Sequence, residues 1–167
     1  MKLATYIHRY TTSCGIVTDE GIIDIPSHTN GAEKLHSIKE ILIKDHKAFD
    51  ILHRLAADRP DPIVPDAVTL AAPIPRPGKI FALAGNYQKH LEETAWQAQT
   101  FEGQAAATNP WPFLMPSNVV TGSGTQIPWP TYSREVDYEI ELAVFIGKTT
   151  DTVSPEQAPD LVQTMIS

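Results

Sequence analysis

The stretch Val136-Asp137-Tyr138-Glu139-Ile140-Glu141-Leu142-Ala143-Val144-Phe145-Ile146 sets two acids into a run of β-branched and aromatic residues. The two-residue period predicts a strand with Glu139 and Glu141 on one side. Tyr138, Ile140, Leu142, Val144 and Ile146 then share the other side and are available for a core. Two carboxylates so placed in a buried strand repel each other and lose hydration. A hard divalent cation is the simplest compensation. The plain alternative is a half-exposed strand whose acids face water.

Composition narrows the class of protein. The chain has 167 residues, 42% hydrophobic and 20% charged, enough for one ordinary domain or a small domain with part of a larger one. Its formal charge of -7 denies it the positive field that drives nucleic-acid binding, so no nucleic-acid partner is expected. A small anionic substrate remains compatible, because a local cation reverses the field inside a pocket. No apolar run approaches the length needed to cross a bilayer, and no membrane partner is expected. Cys14 is the only cysteine, which excludes an intrachain disulfide and a cysteine-rich zinc site. It reads as a small structural thiol, and a cytoplasmic location is the default expectation.

Upstream, Leu3–His8, Cys14–Thr18 and Ile22–Ile25 read as small antiparallel strands, with a tight turn at Asp19-Glu20-Gly21. From Glu33 to Ala57 the period changes to that of helices. Leu35, Ile38, Leu42 and then Phe49, Leu52, Leu55 form apolar faces, interrupted near Lys44-Asp45-His46. His8, His28, His36, His46 and His53 follow no common face, so surface or local hydrogen-bonding roles are expected. Two proline groups, at 59–65 and 73–78, mark extended connectors. Residues 1–70 are therefore assigned to a small α/β N-terminal domain and 71–167 to a catalytic region of short strands and long polar loops.

Strand-like Lys79–Ala84 runs directly into Gly85-Asn86-Tyr87-Gln88-Lys89-His90-Leu91-Glu92-Glu93. Gly85 permits a sharp exit, and Asn86 and Tyr87 offer polar contacts at the strand end. If a helical turn follows, Glu93 lies three residues from His90 and can orient it as a general base. An ordinary surface-charged turn is the alternative. Thr94–Trp111 carries Trp96, Phe101 and Trp111 and reads as a lid or as a packed surface excursion. Gly122-Ser123-Gly124 lacks the pattern of a phosphate loop, and neither Ser123 nor Ser133 has a base that would make a hydrolase triad. Arg134 can meet an anionic substrate, or equally pair with Glu135.

In order and spacing, the segments Lys79–His90, Phe113-Leu114-Met115-Pro116-Ser117 and Val136–Lys148 closely resemble the fumarylacetoacetate hydrolase family. The resemblance implies an α+β, mainly β fold: part of that family's mixed β-roll, preceded by the small N-terminal domain. It also implies a site dependent on Mg²⁺, Mn²⁺ or Ca²⁺, with Glu139 and Glu141 as metal ligands and His90 and Glu93 as the water-activating pair. Tyr87 and Arg134 become substrate-binding candidates. The implied reaction is carbon–carbon cleavage of a small 1,3-dicarbonyl or acylpyruvate-type acid. Isomerisation or decarboxylation of a related 2-oxo diacid, or a non-catalytic assembly fragment, are the alternatives. A homodimer is implied for the full-length protein.

Two departures from the family pattern stand out. Met115 occupies a position where many members carry Lys or Arg, and the family's third metal carboxylate falls beyond Ser167. Val153–Ile166 is expected to form a short helical segment rather than the next strand.

Overall fold

The computed structural model of the protein describes residues 1–44, 46–87, 89 and 110–166. The chain divides into two compact units, Met1–Pro75 with Thr121–Ser167, and Arg76–Val120.

The first unit begins with the predicted antiparallel strands: β1 (Lys2–His8), β2 (Thr11–Val17) and β3 (Ile22–Asp24). A later strand, β4 (Thr69–Leu70), pairs with the free side of β1, giving the order β3-β2-β1-β4. His8 pairs with Thr11, so Arg9-Tyr10 alone turn the β1–β2 hairpin, both at positive φ (47° and 66°). That is the backbone a two-residue hairpin favours, here adopted without glycine. The β2–β3 turn closes through Thr18 N–H donating to the Gly21 carbonyl at 2.8 Å, with Thr18 Oγ1 accepting from Gly21 N–H at 3.1 Å. Gly21 itself cannot be replaced. Its φ is 150°, and a Cβ there would lie 2.2 Å from the Ile63 carbonyl oxygen.

Helices α1 (Ile25–His28), α2 (Ile38–Lys44) and α3 (His46–Asp58) follow; Asp45, at the centre of the expected interruption, lies outside the described residues. Asp24 caps α1, accepting from the Ser27 N–H at 2.9 Å. Amphipathic spacing brings Ile38, Ile41 and Leu42 of α2, and Ala48, Leu52 and Leu55 of α3, into one core with Leu35 and the sheet residues Cys14, Ile16 and Ile23. Cys14 is fully buried, as expected of a structural thiol, and burial pushes its pKa up to about 12. The histidines take the expected local roles. His8 Nδ1 meets the Ala67 carbonyl and His28 Nδ1 the Asp24 carbonyl, while His36, His46 and His53 are exposed.

The later part of this unit departs from the sequence reading in two ways. The strand expected over 136–146 is confined to β7 (Ala143–Ile146), and the run 135–142 lies outside any strand. Tyr138, Ile140, Leu142, Val144 and Ile146, expected to fill a core, are exposed, at 83% and 77% for the first two. Phe145, from the opposite alternation, packs against the N-terminal core instead. The reason is pairing. A strand needs a partner ladder, and among the described residues β8 (Val162–Ile166) supplies one to Ala143–Ile146.

The second correction is β8 itself, which replaces the expected helical segment over Val153–Ile166. Pro155 and Pro159 restrict helix to a single tight turn at Ala158–Leu161. The β-branched Val162, Thr164 and Ile166 then favour a strand.

In the second unit, β5 (Ile80–Ala84) pairs antiparallel with β6 (Trp111–Met115), Ile80 opposite Met115 and Ala84 opposite Trp111. Phe81, Leu83, Phe113 and Leu114 stand exposed on this ribbon.

Candidate functional site

The first group of candidates begins where β5 ends. Gly85 takes φ 70°, the sharp exit expected of it, in a region that disfavours any residue with a Cβ. Asn86 turns its amide back and donates from Nδ2 to the Leu83 carbonyl at 2.6 Å. Tyr87 follows, 45% exposed. His90 and Glu93, the proposed base and its orienting carboxylate, lie outside the described residues. So does the lid reading of Thr94–Trp111, except for Pro110 and Trp111, the second of which opens β6.

The second group lies on the run that leads into β7. Trp129 Nε1 donates to the Ser133 carbonyl at 3.1 Å, and Ser133 Oγ donates to the Glu135 carbonyl at 2.7 Å. These bonds hold the turn that carries the exposed Arg134. Asp137 accepts from the Tyr138 N–H at 3.0 Å. Glu139 and Glu141 come next, both exposed and separated by Ile140. Their carboxylates are hard oxygen donors of the type Mg²⁺, Mn²⁺ and Ca²⁺ prefer, so the donor chemistry fits such a cation. The number does not suffice, since these ions take six or more ligands. Among the described residues no three His, Cys, Asp or Glu side chains come together as a metal site.

A third polar cluster was not legible as such in the sequence. Asp24 accepts from Tyr6 Oη, Ser13 Oγ, Ser27 Oγ and the Ser27 N–H, tying β1, β2 and α1 to the end of β3. Burial pulls the Asp24 pKa up, but the hydrogen bonds from Ser13, Ser27 and Tyr6 outweigh it and hold the carboxyl below its usual range. Burial, and then the bond to Asp24, push the Tyr6 hydroxyl well above its ordinary value. With every polar atom engaged inside one domain, the cluster is a fastening for α1 and not a reaction centre.

Residues 79–166 match the family model described as fumarylacetoacetate (FAA) hydrolase C-terminal. That match covers more than half of the chain and includes both groups of candidate residues. The chain belongs to the fumarylacetoacetate hydrolase family.

Several curated members of the family align with it. Maleylpyruvate hydrolase from Aquipseudomonas alcaligenes is 32% identical over 115 residues, covering 66% of this chain and 40% of the relative. The mitochondrial oxaloacetate tautomerase Fahd2a from Rattus norvegicus is 29% identical over 128 residues, covering 77% and 38%. The fumarylacetoacetate hydrolase domain-containing protein 2 homolog from Dictyostelium discoideum is 30% identical over 168 residues, covering 95% and 50%. The chain thus spans half or less of the length of the family members it matches. The crystal structure of a Mycobacterium smegmatis protein described as an HpcE superposes with a TM-score of 0.64 at 22% identity. It covers 92% of this chain and 50% of that one, and so bears on fold. The fold is accordingly the α+β, antiparallel-sheet fold of fumarylacetoacetate hydrolase family proteins. No described helix is long and apolar enough to cross a membrane.

Proposed function

We propose that the whole protein is a divalent-metal-dependent hydrolase that cleaves a carbon–carbon bond in a small 1,3-dicarbonyl or acylpyruvate-type acid. The observation that carries this reading is the family match over 79–166, which spans His90, Glu93, Glu139 and Glu141 in one ordered segment. A relative named maleylpyruvate hydrolase supports the hydrolytic choice.

In this reading Glu139 and Glu141 hold the cation, Mg²⁺ first, with Mn²⁺ or Ca²⁺ as substitutes. When bound, the cation supplies positive charge for oxygen atoms of the substrate that become more negative during reaction. His90 removes a proton from water at an imidazole nitrogen, and Glu93 fixes the ring and stabilises its protonated form. The hydroxide oxygen bonds to the remote carbonyl carbon, the adjacent carbon–carbon bond breaks, and the departing carbon takes up a proton. Tyr87 donates a hydrogen bond to the substrate, and Arg134 pairs with its carboxylate. Full-length chains form homodimers. The remaining oxygen ligands of the cation come from outside Glu139 and Glu141, water among them.

Tautomerisation, isomerisation or decarboxylation of a 2-oxo diacid is the second reading, favoured by the relative named oxaloacetate tautomerase. These reactions need the same charge stabilisation but no water attack. Incubating the full-length protein with an acylpyruvate and with oxaloacetate in ¹⁸O-labelled water, with and without Mg²⁺, separates the two. Cleavage with label in the new carboxylate is expected. An intact carbon skeleton with metal-dependent proton exchange would replace the hydrolase reading with the second one.

A further inference from the structure

Between α1 and α2 the chain passes through Asn30 and Gly31, both exposed, with buried Thr29 before them and buried Leu35 beyond. Thr29 Oγ1 donates to the Ile25 carbonyl at 3.0 Å and accepts from the Leu35 N–H at 3.2 Å, so both ends of this short loop are locked. Inside it, the Glu33 N–H donates to the Asn30 carbonyl at 3.1 Å and the Lys34 N–H to the Gly31 carbonyl at 3.3 Å. The Asn30 carboxamide takes no part. It makes no capping bond, and among the described residues it meets no hydrogen-bond partner.

The side-chain carbonyl carbon of an asparagine is open to attack by the backbone nitrogen of the next residue when that nitrogen is unhindered and unbonded. Gly31 supplies such a nitrogen. It has no Cβ, and one built there would meet nothing within 4 Å. Asn30 is extended, with φ -147° and ψ 170°, which sets the Gly31 nitrogen gauche to the Asn30 Cβ. Rotation about one backbone bond then brings the nitrogen against Cγ. The other described asparagines are differently placed. The Asn86 amide donates to the Leu83 carbonyl at 2.6 Å and precedes the bulky Tyr87. Asn118 precedes the β-branched Val119, whose N–H is already given to the Pro116 carbonyl at 3.2 Å.

We propose that Asn30–Gly31 is a site of spontaneous deamidation whose isoaspartyl product loosens the loop between α1 and α2. The Gly31 nitrogen gives its proton to solvent and bonds to Asn30 Cγ; the side-chain nitrogen leaves as ammonia, closing a succinimide ring. Water then adds to one ring carbonyl and breaks its bond to the Gly31 nitrogen. Addition at Cγ gives aspartate and leaves the main chain as it was. Addition at the backbone carbonyl gives isoaspartate, in which the chain runs through Cβ and Cγ and the former carbonyl becomes a free carboxylate. That carbonyl is the acceptor for the Glu33 N–H, and the added main-chain carbon has to fit between ends fixed at Thr29 and Leu35.

The test ages the folded, full-length protein in ¹⁸O-labelled water at mildly alkaline pH and follows each asparagine by peptide mass spectrometry. Asn30 should turn into a labelled acid at least about tenfold faster than Asn86 or Asn118, because its carbonyl carbon and the next nitrogen are free to align. Enzymatic methylation of isoaspartate should mark the same peptide. Asn30→Gln, which would have to close a larger ring, should keep its amide over the same interval. The isoaspartyl fraction should unfold at a lower urea concentration than Asn30→Asp, which retains the normal main chain. An Asn30 that reacts no faster than Asn86 or Asn118 would overturn the proposal, as would an acid formed there without any isoaspartate. An isoaspartyl fraction as resistant to urea as Asn30→Asp would overturn the loosening of the loop.

Discussion

The region 1–75 and the run 127–146 treat their apolar side chains in opposite ways. In the first, Leu35, Ile41, Ala48 and Leu52 are completely buried between the four-stranded sheet and the helices α2 and α3. In the second, Ile127, Trp129, Tyr132, Tyr138 and Ile140 are each more than 60% exposed. Hydropathy is similar in the two; what differs is a covering layer. The amphipathic α2 and α3 supply one for the sheet, whereas among the described residues β8 pairs with Ala143–Ile146. A hydrophobic pattern fixes which residues are able to be buried. Burial itself depends on a second element at the right place.

Truncations of apolar side chains are the strongest way to break this contrast. Leu52→Ala removes a fully buried side chain from α3 and should lower stability by about 2–5 kcal/mol in urea unfolding. A loss below about 1 kcal/mol would mean that the helices do not close a cohesive core.

The Asp24 cluster sharpens the same comparison, since it fastens α1 inside the well-packed region. Asp24→Ala should cost about 1–2 kcal/mol by removing the cap and the hydroxyl bonds together. Because the folded carboxyl titrates below its unfolded value of 3.8, its contribution is present in full above that pH. It is lost as pH falls through the lower, folded value. The stability difference between wild type and Asp24→Ala should therefore be greatest above pH 3.8 and shrink as pH falls through the lower, folded value; a constant difference across the whole range would assign the cluster no ionic role.

The smallest effect is expected on the exposed run. Ile140→Thr should change stability by less than about 0.5 kcal/mol in the 167-residue chain, because no packing is removed. A loss comparable to that of Leu52→Ala would show that Ile140 is covered in solution.

Most of the first 58 residues could be read from the sequence because their signals are local. Alternation wrote β1 and β2, Asp19-Glu20-Gly21 wrote the turn, and helical spacing wrote α2 and α3. The reading of 136–146 as one strand is met only over Ala143–Ile146, because the alternation of a stretch carries no information on which of its residues find a partner strand. The helix expected over Val153–Ile166 failed because the prolines and the β-branched end outweigh the weak helical spacing. At the candidate site, the sharp exit at Gly85 was legible from glycine before a polar pair. The bond from Asn86 to Leu83 was not, because it closes through the backbone's exit from β5 and follows no sequence motif. The Asp24 cluster was missed for the same reason: Tyr6, Ser13 and Ser27 meet it through pairing and capping, not through any sequence motif.

Calorimetric titration of Mg²⁺ tests the central claim most directly, that Glu139 and Glu141 are the cation-holding acids and His90 acts on water. The 167-residue chain should bind only weakly, at about millimolar, because two carboxylates leave the ion's shell underfilled. The full-length protein should bind appreciably tighter, Glu139→Gln or Glu141→Gln should each weaken it, and His90→Ala should leave it nearly unchanged while abolishing cleavage. Full-length Glu139→Gln and Glu141→Gln variants that bind Mg²⁺ as wild type does would contradict the account.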